Sequence, residues 1–67
     1  MKFIEFFIES KQAGGVGTTK FINPVYVESV TPANHDKKTF VVMNSGDDFV
    51  ISMPVGDVVN KLEGVKS

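Results

Sequence analysis

The densest run of reactive side chains is Asn34-His35-Asp36-Lys37-Lys38. An imidazole beside a carboxylate is the pairing used for a general base and its orienting acid, but sequence neighbours seldom converge on one atom, and no cysteine or activated serine accompanies them. As a nucleic-acid contact the same turn has more to offer: two ammonium groups for phosphates, with amide and imidazole groups for base edges. The aromatic residues, six Phe and Tyr26, are of the type that stacks on bases in single-strand-binding sheets. Most of the Phe lie in apolar runs that read as core. Tyr26, alternating onto the same face as Glu28, reads as the exposed ring.

Two further clusters invite chemistry and fit it poorly. Gly14-Gly15-Val16-Gly17 has the composition of a phosphate-cradling loop, yet such a loop leads from a strand into a helix whose N-terminus faces the anion. Here the segment leads toward another strand and reads as a flexible connection. Asp47-Asp48, with Asp57 and Glu63 further on, supplies oxygen ligands without calcium-loop spacing, and hairpin turns favour Asp on conformational grounds alone. No metal or cofactor is implied, and no set of nucleophile, base and oxyanion donors can be assembled, so the expectation is a binding protein rather than an enzyme.

These residues sit on a small frame. With 67 residues there is room for one domain, and a domain of this size buries only about 60% of the surface its unfolded chain exposes. No cysteine is available for a disulfide or for zinc, which leaves self-association as the usual support. The apolar content of 42% is high for so little interior and points the same way. A net charge of −1, with seven lysines and no arginine, gives no overall field for nucleic acid, so any such site must be local. Acids interrupt the apolar N-terminus and no apolar span reaches 18 residues, so a cytoplasmic location away from membranes is expected.

The pattern predicts five strands and one helix. In residues 2–9, Ile4, Phe6 and Ile8 share one face while Phe3 and Phe7 share the other, which calls for a helix or a neighbouring subunit to cover it. A connection at residues 10–18 leads into a short strand over 19–23, ended by Asn23-Pro24, where the chain must bend sharply. A third strand spans 25–31, with Val25, Val27 and Ser29 on one side and Tyr26, Glu28 and Val30 on the other. Residues 32–38 form a polar turn. Residues 39–44 and 48–53 flank Ser45-Gly46-Asp47 as a hairpin of central, buried strands. Pro54 opens a helix at its first turn, Val55, Val58, Val59 and Leu62 form one apolar stripe, and Gly64 is placed to stop it in a left-handed conformation, giving a helix over about 54–63. The fold class is therefore mainly β: a small, strongly bent five-stranded antiparallel sheet, an open barrel, with one short C-terminal helix.

Five short strands from Phe3 to Met53, bent at the boundary of the second and third, resemble the Sm-like (LSm) family, in particular its divergent phage and marine-metagenome members. The resemblance implies a homo-oligomer, a closed ring of about five to seven copies, that binds single-stranded RNA or DNA in a host cytoplasm. At the hairpin where that family carries the Arg-Gly or Lys-His signature of its second motif, this sequence has Asn44-Ser45-Gly46-Asp47 instead, and the nucleic-acid-binding candidates are Tyr26, Asn34, His35, Lys37, Lys38 and Asn44. A narrower stretch, Phe21-Ile22-Asn23-Pro24-Val25-Tyr26-Val27-Glu28-Ser29-Val30 with Met43-Asn44-Ser45-Gly46 and Val58-Val59-Asn60-Lys61-Leu62, resembles the flagellar FlbD/SwrD family. That likeness implies a small protein-interaction adaptor with no nucleic-acid binding.

Overall fold

The computed structural model describes residues 3–66 apart from 11, 13 and 35, and the backbone alone of 65 and 66. Strands β1 (Ile4–Ile8), β2 (Thr18–Ile22), β3 (Val27–Ala33), β4 (Lys38–Met43) and β5 (Asp48–Ile51) are followed by helix α1 (Val55–Lys66). All pairings are antiparallel, in the order β2-β1-β5-β4-β3. The sheet is open, with β2 and β3 at its two edges although they are consecutive in the chain. No described helix is long and apolar enough to cross a membrane.

The period-2 pattern of β1 sorts its side chains as expected: Ile4, Phe6 and Ile8 are buried and Phe3 and Phe7 are not. Ile22, Val41, Phe49 and Ile51 complete the sheet's inner face, and the helical stripe closes it through Val58, which is fully buried, and Leu62. Val55 and Val59 of the same stripe are half-buried.

Other expectations are corrected. Val25 and Tyr26 are not in a strand: Pro24–Tyr26 is a 3-10 turn, and β3 begins at Val27 and runs through Pro32 to Ala33. The register slips between Val27 opposite Met43 and Ser29 opposite Val42, so Glu28 is a β-bulge. One extra residue flips the alternation, and Val27 and Val30, read from the sequence onto opposite faces, both pack on the core. Pro54 precedes the helix rather than lying in its first turn, its carbonyl accepting from Asp57 N (3.0 Å) and Val58 N (3.1 Å). Gly64 does not stop α1, which continues to Lys66, because glycine in a helix costs only about 1 kcal/mol and no proline follows. The hairpin strands β4 and β5 are central but one-sided, with Phe40 on the solvent face. Of the six Phe only Phe6 and Phe49 are core, while Phe3, Phe7, Phe21 and Phe40 are exposed.

Among the described residues, one polar side chain lies wholly inside. Thr39 on β4 donates through Oγ1 to the Met53 carbonyl (2.8 Å), tying the segment before α1 to the sheet. Thr39→Val keeps the shape and strands that carbonyl, so it should destabilise the fold by about 1–2 kcal/mol. The urea midpoint should fall at unchanged slope; an unaltered midpoint would show that the bond contributes nothing.

Candidate nucleic-acid interface

The Asn23-Pro24 signal is what builds the first half of the site. Asn23 Oδ1 accepts from Val25 N (3.0 Å), its carbonyl accepts from Tyr26 N (3.1 Å), and Pro24 fits the first turn position with its ring buried. The resulting tight turn leaves Tyr26 54% exposed. Asn44 then docks beside it, its N–H donating to the Tyr26 carbonyl (2.8 Å). Asn44 is held in a short hairpin loop in which Gly46 N donates to the Met43 carbonyl (2.9 Å) and Met43 N donates to the Asp47 carbonyl (2.8 Å). Gly46 takes φ +96°, which only glycine adopts without strain.

Between these segments lies a cleft of about 270 Å³ lined by Lys20, Tyr26, Met43, Asn44, Ser45 and Asp47. Lys20 comes from β2, with its ammonium 4.7 Å from the centroid of the Phe49 ring, a cation–π contact that holds the charge at the cleft wall. Tyr26 and Asn44 were legible as candidates, whereas Lys20 was not. The bend at Asn23-Pro24 is the signal that points to it, because a chain folding back there brings residues shortly before and after the turn together.

The remaining candidates lie elsewhere. Val27 pairs with Met43 and Ala33 with Lys38 at opposite ends of the β3–β4 ladder, so the Asn34–Lys38 turn is roughly 17 Å from the Tyr26 cleft, five residues of strand. His35 lies outside the described residues. Asn34 and Asp36 both adopt left-handed backbone (φ 48° and 66°), and Lys37 N donates to the Asn34 carbonyl (3.2 Å). Lys37 is exposed and has no side-chain partner among the described residues. Lys38 is engaged: its ammonium lies 2.6 Å from Glu9 Oε2, which also accepts from the Ser52 hydroxyl at 2.8 Å. The two-lysine anion site read from the sequence is thus reduced to one unpaired lysine.

The glycine loop connects β1 to β2, as its sequence context requires, and borders a separate cleft of about 590 Å³ lined by Phe7, Glu9, Ser10, Gln12, Ser52 and the loop glycines. Gly17 is needed there for space: a Cβ would fall 2.4 Å from the Ile8 carbonyl oxygen and 2.8 Å from the Phe7 ring. No protein-family model, curated protein or solved structure matches the chain.

The Lys38 ammonium, and secondarily the Ser52 hydroxyl, hold the Glu9 carboxyl below its ordinary value of 4.5. A carboxyl whose folded pKa is depressed stabilises the fold above its unfolded value and loses that contribution as pH falls through the folded one. Wild type should therefore lose more stability than Glu9→Gln between pH 5 and more acid conditions, checked by urea midpoints at matched ionic strength. Identical pH profiles would dismiss the Glu9–Lys38 pair as a stabilising contact.

Proposed function

We propose that this protein is a small self-associating β module that binds single-stranded RNA or DNA at the Tyr26 cleft. The observation that carries the reading is an exposed tyrosine ring brought beside a lysine ammonium and an asparagine amide from three separate segments of chain. An aromatic face takes any base, with about 1–3 kcal/mol per stacked base. Lys20 supplies a phosphate contact and Asn44 an amide for base edges. The Sm-like resemblance implies the same ligand class. The chain has no arginine and a net charge of −1, so stacking carries more of the affinity than phosphate neutralisation, and Asp47 at the cleft opposes the strand.

Anisotropy of a labelled oligonucleotide tests this. Tyr26→Ala should weaken binding about tenfold, the equivalent of about 1.4 kcal/mol of lost stacking. Lys20→Gln should lower the dependence of log K on log salt by about 0.7, one single-strand phosphate contact. Asp47→Asn should tighten binding, and Lys37→Glu should weaken it less than Tyr26→Ala does. No binding by wild type at low salt, or binding indifferent to Tyr26, overturns the reading. In that case the exposed β2 edge and the phenylalanine face favour the second reading, a protein-interaction adaptor that docks an extended segment.

A further inference from the structure

We infer that two copies of this chain join through β2, antiparallel about a two-fold axis at Phe21, to make one continuous ten-stranded sheet. This deepens the self-association half of the function proposed above and is independent of nucleic-acid binding at Tyr26.

The hydrogen-bond phase of the sheet shows which backbone groups its edges offer. Ser52 N donates to the Phe7 carbonyl and Glu9 N donates to the Val50 carbonyl, so residues 7 and 9 face β5 and residues 4, 6 and 8 face β2. Their partners are Ile22, Lys20 and Thr18. Thr19 and Phe21 therefore point N–H and C=O away from the sheet. At the other edge, Met43 N donates to Asp47 O and Asn44 N to Tyr26 O, so β4 turns residues 38, 40 and 42 toward Ala33, Thr31 and Ser29. Val30 and Pro32 are left facing outward.

The two edges are unlike. Along β3, Pro32 has no N–H to give and the Glu28 bulge twists the strand, two devices that block edge-to-edge addition. β2 carries neither. It reads Thr-Thr-Lys-Phe-Ile, and Thr18 through Phe21 are all exposed. A ring needs one edge to receive the other, head to tail, and β3 is guarded against that. A two-fold needs only β2, which is complementary to itself.

Side chains select the register and the occupant. Centring on Lys20 would oppose two ammonium groups, whereas centring on Phe21 opposes two rings and sets Lys20 against Ile22. Asn23, at φ −84° and ψ 113°, is extended, so its N–H continues the edge toward Thr19 of the second copy while its carbonyl stays in the turn, accepting from Tyr26 N. Phe21 shares the outer face with Phe3 and Phe7, since it lies opposite Glu5 between them. The three are 64%, 57% and 53% exposed. Of the three, only Phe21 lies on the joining strand, so the two Phe21 rings meet across the axis, while Phe3 and Phe7, one strand further out, stay on the outer face of the joined sheet; the interface is narrow and carried by the strand-edge hydrogen bonds and the Phe21 pair. The Glu5 carboxylates of the two copies would lie three strand spacings apart, about 14 Å, beyond the screening length of about 8 Å. A second copy therefore meets no like-charge penalty.

Light scattering and native mass spectrometry of the full chain should find twice 7.3 kDa at hundreds of micromolar. Phe21→Glu and Thr19→Pro should each give monomers with unchanged circular dichroism, since both residues are exposed. The chain has no cysteine, so Phe21→Cys should oxidise to a cross-linked dimer, its Cα atoms about 5.5 Å apart on the axis, while Thr19→Cys should not. Five to seven copies, monomer only, a dimer indifferent to both edge substitutions, or cross-linking at Thr19→Cys in place of Phe21→Cys would each overturn the interface. A dimer that binds no oligonucleotide would leave it standing and refute only the Tyr26 cleft. If wild type is monomeric but captures an extended peptide on β2, the edge belongs to another protein and the two-fold is wrong.

Discussion

The two halves of this sheet meet over very little backbone. β1 and β2 form one hairpin and β3, β4 and β5 form a meander, and the single ladder position joining them is Ile8 opposite Ile51. Two flanking bonds, Glu9 N to the Val50 carbonyl and Ser52 N to the Phe7 carbonyl, complete the seam. On the solvent face Glu9, Ser52 and Lys38 lay a polar tie across β1, β5 and β4 at the same level. Beyond it β1 departs from β5, and the Glu5 carbonyl, which faces the gap, accepts from Lys61 Nζ of α1 at 3.1 Å. The same ammonium sits 4.8 Å from the centroid of the Phe6 ring. The helix therefore substitutes for the ladder that the sheet lacks, supplying an apolar face to Val41 and Phe49 and a donor to β1. Bending of the sheet, burial of the stripe and placement of both edges depend on this narrow join.

That dependence explains which parts were readable from the sequence. Strong local signals held: the alternation of Ile4, Phe6 and Ile8, the Asn23-Pro24 bend, the hairpin around Gly46 and the stripe from Val55 to Leu62. What failed was decided by nonlocal geometry. A bulge at Glu28 is invisible in a composition-based alternation because only the partner strand's register defines it. The fate of the phenylalanines was misjudged for a related reason, since β1 and β2 have a single inner face and α1 covers only that one. The Lys37-Lys38 pair looked like two free cations, and Lys38 was claimed by Glu9, 29 positions earlier in the chain, once β1, β5 and β4 lay side by side.

The Tyr26 cleft shows the opposite behaviour, a site that only tertiary structure assembles. Tyr26 and Asn44 were recognisable one at a time, for an exposed ring and for a place in a hairpin. Their contact follows from the sheet order: β3 lies at an edge and starts where β4 ends, so the turn before β3 and the turn after β4 share one end of the molecule. Lys20 arrives there because β2 leads directly into that turn. A compact cleft made from three segments needs no large pocket and no buried charge, which suits a chain with so small an interior.

Exposed aromatic surface carries a cost for a domain of this size. Three rings standing more than half in water on one hairpin face lower solubility without adding stability. The neighbouring free edge compounds the hazard, because an unguarded strand templates further strands. Yet the opposite edge carries a proline and a bulge. The proline and the bulge guard β3 and not β2, and it is on this difference between the edges that the proposed two-fold pairing rests. The exposed β2 edge and the phenylalanines beside it lie together on the side of this hairpin that the inner core and α1 do not reach.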